Sequence, residues 1–389
     1  MPRHIYIINA KIISKGALLK GAAVLISGTK IASLGKKTAL CKNSLSINAK
    51  GCFVSPGFID THIHGDPERV FLNEIRSGTT SIMPALSCDS FANIFKKIDR
   101  IKTFAGEEPF GPNVLGIRIE GPYINKSKAG AQDKRYIRKP DAKELAKILK
   151  RCGRSLKIMT VAPELKGTLQ AIRILKAKKV IASIGHSAAT YEEAIAGIDA
   201  GVSHATHTFN AMSGKEAPKT GAVGAALADE RVTAEVIPDL VHVRETLLRL
   251  LLKTKIADRI ILITDSVRAE AADKSYPQCS GRLNVRYCRG GADGGVYRLK
   301  DGRLAGSCLT MIEAIKNAVS AGALSVPDAV RLATENPARL LGLQRRKGTI
   351  AKGMDADIVV FDKNFDVKMT IIRGEIVYRK KTRGEKCAE

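Results

Sequence analysis

The sequence contains few aromatic residues and no closely spaced cysteine pairs. Aromatic side chains make up 5% of the 389 residues, and tryptophan is absent. The eight cysteines are scattered along the chain, and no C-x-x-C pair occurs. This spacing argues against a zinc ribbon or a disulfide framework and favours a reducing, cytoplasmic environment.

Long apolar segments are also lacking. A transmembrane helix needs about 20 consecutive apolar residues, and no stretch of this chain approaches that length. Near the start, Asn9, Lys11 and Lys15 interrupt the apolar residues. We therefore expect no signal peptide and no membrane partner.

Acidic residues are too few to balance the basic ones: 38 Asp and Glu stand against 64 Lys and Arg, a formal net charge of +26. The basic residues are dispersed at the spacing of surface helices, as in KELAKILKRCGRSLK. No nucleic-acid-binding motif accompanies them, and aromatic residues that could stack on bases are scarce. We expect solvated surface rather than a nucleic-acid interface, and a charge that helps to attract an anionic substrate.

Both ends of the chain have the pattern of short strands. The predicted strands cover residues 4–8, 11–13, 23–27 and 30–34 at one end, and 348–350, 357–362, 367–372 and 375–379 at the other. The pairs Gly28-Thr29 and Arg373-Gly374 are typical of turns between such strands. The pattern predicts a small β domain assembled from residues 1–50 and 346–389.

Between these ends, in residues 51–345, short apolar runs alternate with helix-like segments. The runs are a strand ending at Ile63 and residues 80–83, 114–119, 158–162, 180–185, 204–208, 233–237 and 260–264. The helix-like segments include residues 142–150, 167–177, 191–200, 244–253 and 311–321. Eight alternating units predict an α/β fold with a closed (β/α)8 TIM-like barrel. The alternative is an open doubly wound sheet, but the G-x-G-x-x-G of a dinucleotide-binding start does not follow the first strand.

Two histidines stand two residues apart at the end of the first barrel strand. Side chains alternate faces along a strand, so His62 and His64 point the same way and Ile63 points the other way. Neutral imidazole is a good ligand for zinc, iron or nickel. The chain has only 7 histidines, and this spacing predicts a metal-binding pair, provided that the rest of the chain supplies further ligands.

Four later strands end in a possible ligand or acid. Glu120, His186, His207 and Asp265 each follow an apolar run, and the carboxyl ends of barrel strands carry the reactive residues. His204 and His207 are three apart, so only one of them is expected to face the site, and the other is expected in the core or at the rim. Four histidines and two carboxylates at equivalent strand ends indicate a hydrolytic metalloenzyme.

The residues at these strand ends resemble the amidohydrolase superfamily and, within it, the N-acetylglucosamine-6-phosphate deacetylase family. The similarity spans nearly the whole chain. It rests on residues 56–65 (PGFIDTHIHG), 120–123 (EGPY), 185–190 (GHSAAT), 206–212 (THTFNAM), 239–243 (DLVHV), 264–265 (TD), 305–311 (AGSCLTM) and 336–339 (NPAR). The H-x-H pair is shared by the superfamily, whereas GHSAAT, THTFNAM and AGSCLTM in this order are specific to the deacetylases.

The resemblance implies a barrel with a small β-sandwich from both termini, and one or two divalent metals per subunit, zinc, iron or another first-row transition metal. It implies that Glu120, His186 and His207 hold one metal. His62 and His64 would hold a second metal, with Glu120 positioned to bridge. Asp265 matches the family's proton-transfer residue.

The resemblance also implies a phosphorylated amino-sugar substrate and a homodimer. Asn210 and Ala211 would contact the substrate phosphate. The residues that would line the sugar are Ala131, Gln132, His242, Leu304, Ala305 and Gly306. The family usually has an arginine a few residues after N-A-M that serves the neighbouring subunit; this chain has Pro218 there, so Lys219 is the candidate cation.

Three further differences from the family, and four other functions, stay open at this stage. The first βα loop is short, with Asp66, Pro67 and Glu68; Leu240 stands where glycine is more frequent; and Arg268 adds a cation after Asp265. The enzyme could act on a different N-acetyl hexosamine phosphate or on a cyclic amide. Outside catalysis, the alternative is a metal-binding scaffold or a basic nucleic-acid-associated protein.

Overall fold

A computed structural model describes residues 4–35, 44–65, 67–107, 111–214, 220–267, 285–290 and 294–381. In chain order the strands are β1 (His4–Ile8), β2 (Lys11–Ser14), β3 (Ala17–Lys20), β4 (Ala23–Ser27), β5 (Lys30–Gly35), β6 (Ser44–Asn48), β7 (Phe53–Pro56), β8 (Phe58–Ile63), β9 (Thr79–Leu86), β10 (Asn113–Val114), β11 (Ile117–Glu120), β12 (Leu156–Val161), β13 (Ile181–Ile184), β14 (Val202–Ala205), β15 (Thr233–Val236), β16 (Ile260–Leu262), β17 (Val285–Gly290), β18 (Gly294–Leu299), β19 (Leu304–Ser307), β20 (Ile358–Phe361), β21 (Val367–Ile372) and β22 (Glu375–Arg379).

The helices of the described ranges are α1 (Pro67–Arg76), α2 (Phe91–Glu107), α3 (Ala142–Cys152), α4 (Thr168–Ala177), α5 (Tyr191–Ala200), α6 (Gly221–Ala228), α7 (Glu245–Thr254), α8 (Met311–Ser320), α9 (Val326–Leu332) and α10 (Glu335–Leu340). Single 3₁₀ turns cover Lys126–Lys128, Gly153–Ser155 and Ala257–Arg259. None of these helices combines the length and the apolar character that crossing a bilayer requires.

Eight parallel strands form the predicted (β/α)8 barrel. They are β8, β9, β11, β12, β13, β14, β15 and β16, each paired with the next, and the short β10 pairs beside β9. The barrel closes between its first and last strands, where the amide of His64 donates to the carbonyl of Ser266 at 2.9 Å and that of Asp265 to the carbonyl of His62 at 2.8 Å. Closure therefore brings the H-x-H pair next to Asp265.

Helix α3 shows how the sequence places a helix on this barrel. Asp141 caps its start by accepting a hydrogen bond from the amide of Glu144, and Leu145, Ile148 and Cys152 are buried at helical spacing. Gly153 ends it with a φ of 58°, a left-handed conformation that glycine adopts without strain. This apolar face packs into the main hydrophobic core.

The two ends of the chain meet in two further sheets, ordered β5-β4-β1-β6 and β22-β21-β20-β7-β2-β3. Apolar residues of both sheets, among them Ile7, Val24, Ile358 and Ile371, share one buried cluster. The predicted sandwich from both termini is therefore present. Because β7 pairs with β2 and β20, we propose that the small domain includes this strand, a few residues beyond the predicted boundary at residue 50.

The sequence prediction for the terminal domain differs from the structure in three places. Residues 348–350 were expected as a strand, but they form a bend in which Gly348 has a φ of +94°. Here the chain passes close to α10: a Cβ on Gly348 would lie 2.9 Å from Cβ of Ala338. The edge strand β3 and strand β6 were not predicted.

Candidate active site

Six predicted site residues converge at the carboxyl ends of the barrel strands. His62 is the second-to-last residue of β8, and His64 directly follows this strand. Glu120 ends β11, and His186, His207 and Asp265 lie just beyond β13, β14 and β16. All six are buried, with at most 9% of each residue exposed. The barrel topology explains the convergence, because parallel strands present their carboxyl ends on one face.

Glu120, His186 and His207 form the first group of possible metal ligands. Oε1 of Glu120 lies 2.9 Å from Nε2 of His186 and 2.8 Å from Nε2 of His207. The two imidazole nitrogens are 3.2 Å apart, and the three ligand atoms lie within 4.8 Å of one another. Two nitrogens and one carboxylate oxygen directed at one point are a donor set that suits zinc and other first-row metals.

His62 and His64 form a second group with the other oxygen of the same carboxylate. Oε2 of Glu120 lies 3.7 Å from Nε2 of His62 and 3.5 Å from Nε2 of His64. Oδ1 of Asp265 lies 3.4 Å and 3.1 Å from the same two nitrogens. Nε2 of His62 is buried and makes no hydrogen bond, as expected of an atom placed to bind a cation. Glu120 therefore stands between two possible metal positions.

Three of these residues have unusual backbone conformations. The φ angles of His186, His207 and Asp265 are +48°, +30° and +48°. This left-handed region is uncommon for residues other than glycine and is enriched at functional sites. In each case the turn directly follows a barrel strand and aims the side chain across the top of the barrel instead of along the sheet.

Hydrogen bonds with neighbouring residues orient His186 and Glu120. Nδ1 of His186 donates to the carbonyl of Lys128 at 2.8 Å, which leaves Nε2 for the metal position. Nε2 of Gln132 donates to Oε2 of Glu120 at 2.8 Å, and the amide of Cys88 donates to Oε1 of Gln132 at 2.7 Å. The loop after β11 thus fixes both a histidine and the shared carboxylate.

The electrostatics of the cluster favour a bound cation. Burial raises the pKa of Glu120, but His62, His186 and His207 outweigh it and hold this pKa well below its usual value. Burial likewise opposes ionisation of Asp265, yet His62 and His64 lower its pKa to about 2. Two carboxylates that keep their charge in a buried site attract a cation. Against the opposing effect of burial, they raise the pKa of His62 and of His64, so a metal must displace protons from these two imidazoles.

A cavity of about 300 Å³ opens over the ligands, a size typical of small-molecule sites. All the predicted substrate residues of the described ranges line it: Ala131, Gln132, Asn210, Ala211, His242, Leu304, Ala305 and Gly306. The strand β19 delivers the last three. Nδ1 of His242 lies 2.5 Å from Oδ2 of Asp239, which orients the ring. Lys219, Pro218 and Arg268 lie outside the described residues.

Two basic residues of the cavity wall were not predicted from the sequence. Lys128 and Arg303 line the cavity, and Arg303 donates to the carbonyl of Gly130 at 2.6 Å. No sequence signal marked them, because each lies on a loop whose path depends on the tertiary fold.

Leu240 has a φ of +62°. Glycine, which is frequent at this position in the family that the sequence resembles, adopts this conformation at less cost than leucine.

The comparisons with known proteins agree with this geometry. Residues 53–377 match the model of the amidohydrolase family. The chain belongs to the amidohydrolase family, whose members are typically metal-dependent hydrolases.

Among characterised relatives, the chain is 33% identical to the N-acetylglucosamine-6-phosphate deacetylase of Bacillus subtilis, over 97% of this chain and 98% of the relative. It is 31% identical to the N-acetylgalactosamine-6-phosphate deacetylase of Escherichia coli O157:H7, over 82% and 86% of the two chains. A mutant N-acetyl-D-glucosamine-6-phosphate deacetylase from Mycobacterium smegmatis, solved with N-acetyl-D-glucosamine 6-phosphate, superposes with a TM-score of 0.86 at 29% identity, over 96% and 99% of the chains. The predicted resemblance to these deacetylases is confirmed.

Replacing Gln132 by leucine is expected to weaken metal binding by about 10–100-fold, the usual effect of removing a hydrogen bond to a ligand. The change keeps the volume of the side chain but removes the donor that holds Oε2 of Glu120. Competition with a chelator of known affinity measures the effect. Ser127→Ala is the control, because Ser127 lines the same cavity but its hydroxyl bonds to Asn125. Equal affinities in Gln132→Leu and wild type would contradict this role.

Proposed function

We propose that this chain hydrolyses the N-acetyl group of N-acetyl-D-glucosamine 6-phosphate, giving glucosamine 6-phosphate and acetate. One observation carries the proposal. The proposed metal ligands Glu120, His186 and His207 and the carboxylate of Asp265 face the same cavity, and residues of the deacetylase motifs line this cavity. The relatives named for this reaction, matched over nearly their whole length, support the choice of substrate.

We assign Glu120, His186 and His207 to one divalent metal, and His62 and His64 with Glu120 to a second. Imidazole and carboxylate donors suit zinc, iron and other first-row metals. When bound, such a metal would lower the pKa of water to about 7 and would polarise the carbonyl oxygen of the acetamide, a group that otherwise reacts slowly with water.

Asp265 is the residue assigned to proton transfer. Its pKa of about 2 keeps the carboxylate ionised at neutral pH, so Oδ1 can accept a proton from the attacking water. The amine of the sugar is a poor leaving group unless it is protonated. Asp265 can return the same proton to the nitrogen as the C–N bond breaks, which restores the ionised carboxylate for the next cycle.

The remaining cavity residues are assigned to the sugar phosphate. Asn210 and Ala211 stand beside the ligand His207 and are proposed to contact the phosphate. His242 and β19 are proposed to contact the sugar. Lys219 is proposed to supply a cation to the neighbouring subunit of a homodimer.

We also propose a cytoplasmic location, which the free thiols of Cys52, Cys88 and Cys152 support.

Acetate release from a panel of substrates tests the proposed substrate. The metal-loaded chain is expected to hydrolyse N-acetylglucosamine 6-phosphate with a higher kcat/KM than N-acetylglucosamine, because the phosphate contacts are lost with the unphosphorylated sugar. Absence of acetate release under zinc, iron and manganese alike would overturn the proposal.

N-acetylgalactosamine 6-phosphate is the second candidate substrate. The 31% identity to a deacetylase named for this sugar phosphate favours it. The two sugars differ only in the orientation of one hydroxyl, so the ratio of their kcat/KM values reports the contacts made by the sugar-binding wall. A higher value for the galactose form would reassign the substrate and leave the metal chemistry unchanged.

Loss of the H-x-H pair is expected to remove one metal and to lower activity less than loss of Asp265. In His62→Ala/His64→Ala the ligand group of Glu120, His186 and His207 is intact, so metal content should fall from two ions per chain to one. Metal analysis after removal of loosely bound ions gives the number of ions per chain, and kcat measured on the same samples gives the loss of activity. A kinetic loss equal to that of an Asp265 variant would contradict this ranking.

A further inference from the structure

A fully buried polar network lies below the ligand cluster, in the interior of the barrel. Arg118 on β11, His204 on β14 and Glu235 on β15 are each 0% exposed. Burying charged groups costs several kcal/mol unless they are paired and hydrogen-bonded. The proposed proton transfer and metal binding use none of these three residues directly, so the network calls for its own explanation.

Glu235 is the centre of this network. Its Oε1 pairs with the guanidinium of Arg118 and lies 2.7 Å from Nε2 of His204. Its Oε2 lies 3.4 Å from Nδ1 of His62 and accepts a hydrogen bond from the amide of His207 at 3.3 Å. One carboxylate therefore joins a buried cation to two residues of the ligand cluster.

The alternation of side chains along the strands explains this layer. Arg118 stands two residues before Glu120 on β11, so both point into the barrel, one layer apart. A second arm of Arg118 donates to Oγ1 of Thr206 at 2.9 Å, and Thr206 contacts Ser183 at 2.6 Å. These contacts hold the guanidinium in place, and the guanidinium in turn holds Glu235.

We propose that Glu235 is a positioning residue for the second metal: it holds the imidazole of His62 through Nδ1 and so directs Nε2 toward Glu120 and Asp265. Arg118 keeps the carboxylate of Glu235 charged and fixed. The inference rests on the two-metal site proposed above. A carboxylate behind a ligand histidine fixes the ring and raises its basicity, and its loss typically weakens metal binding about 10–100-fold.

The other ligand group has different supports. His186 is held by the carbonyl of Lys128, and Glu235 contacts this group only through the backbone amide of His207. Loss of the Glu235 carboxylate should therefore weaken the His62-dependent metal selectively and leave the affinity of the first metal close to that of wild type.

The test compares zinc binding in wild type, Glu235→Gln and the double variant Arg118→Met/Glu235→Gln, by titration against a chelator that resolves two dissociation constants. Glu235→Gln alone leaves the guanidinium of Arg118 without a counter-charge and can fail to fold. The double variant removes both charges, so it separates positioning from the structural role of the ion pair. Ser81→Ala is the control, because Ser81 on β9 is buried and its hydroxyl makes no hydrogen bond to this network.

The expected result is a second dissociation constant raised about 10–100-fold in the double variant, with the first constant and the melting temperature near those of wild type. A double variant that folds and binds the second zinc as tightly as wild type would overturn the proposed role of Glu235 but not the two-metal proposal. A wild-type chain that binds a single zinc, unaffected by His62→Ala, would overturn the two-metal proposal and this inference together.

Discussion

Replacement of Asp265 by asparagine is expected to lower kcat by about 10²–10⁴-fold, the usual contribution of general acid–base catalysis. Asparagine has nearly the same size and shape, but its amide cannot accept a proton from water or return one to the amine. His62 and His64 lie 3.4 Å and 3.1 Å from Oδ1 of Asp265. Because asparagine has nearly the same shape as aspartate, we expect these neighbours and the cavity to keep their positions.

Metal analysis and steady-state kinetics on the same preparation distinguish this loss from a loss of metal. The metal of Glu120, His186 and His207 should stay bound in Asp265→Asn, and KM should change less than kcat. Asp133→Asn is a matched control, since Asp133 is buried on the loop next to Gln132 and does not line the cavity. Activity of Asp265→Asn close to that of wild type would show that another group transfers the proton.

Replacement of His207 by alanine is expected to remove the first metal and with it almost all activity. His207 contributes one of three ligand atoms, and Glu120 and His186 alone leave a two-point site. Loss of Lewis-acid stabilisation worth several kcal/mol corresponds to roughly 10³-fold or more in rate. Bound metal per chain and kcat should fall together across a series of added metal concentrations.

His4→Ala is a control for this experiment, because His4 lies in β1 of the terminal sheets and not in the barrel. It should retain both metal and activity. If His207→Ala kept a full complement of metal while losing activity, His207 would act on the substrate instead of as a ligand.

The convergence of six candidate residues at the carboxyl ends of the barrel strands was predictable because its signal is local. Each ligand follows an apolar run, and the alternation of side chains placed His62 and His64 on one face without knowledge of the fold. For His204 and His207, the prediction assumed one strand through both. The structure ends β14 at Ala205, so His204 lies inside the barrel and His207 turns over its rim.

The supports of the cluster were not predictable in the same way. Glu235 stands within a run taken as an apolar strand, and its partner Arg118 is 117 residues earlier in the chain. Neither residue belongs to a short motif, and only closure of the barrel brings them together. The same applies to Lys128 and Arg303, which reach the cavity from loops.

The terminal sheets include one feature that the local sequence pattern predicted correctly and one that it predicted wrongly. The turn at Arg373-Gly374 was predicted, and both residues have positive φ, +51° and +80°, as a tight hairpin requires. Residues 348–350 have an equally strand-like composition but pack against α10 instead of pairing. Strand pairing depends on a free neighbouring edge, which the sequence does not encode locally.

Titration of metal back into the metal-depleted chain, with acetate release from N-acetylglucosamine 6-phosphate as the readout, tests the central claim most directly. The claim is that the metal held by Glu120, His186 and His207 acts with Asp265 to remove an N-acetyl group. We predict no release from the depleted chain, a rise in rate that follows metal occupancy, and no recovery in His207→Ala. Equal rates for the depleted and the loaded chain, or full recovery in His207→Ala, would contradict it.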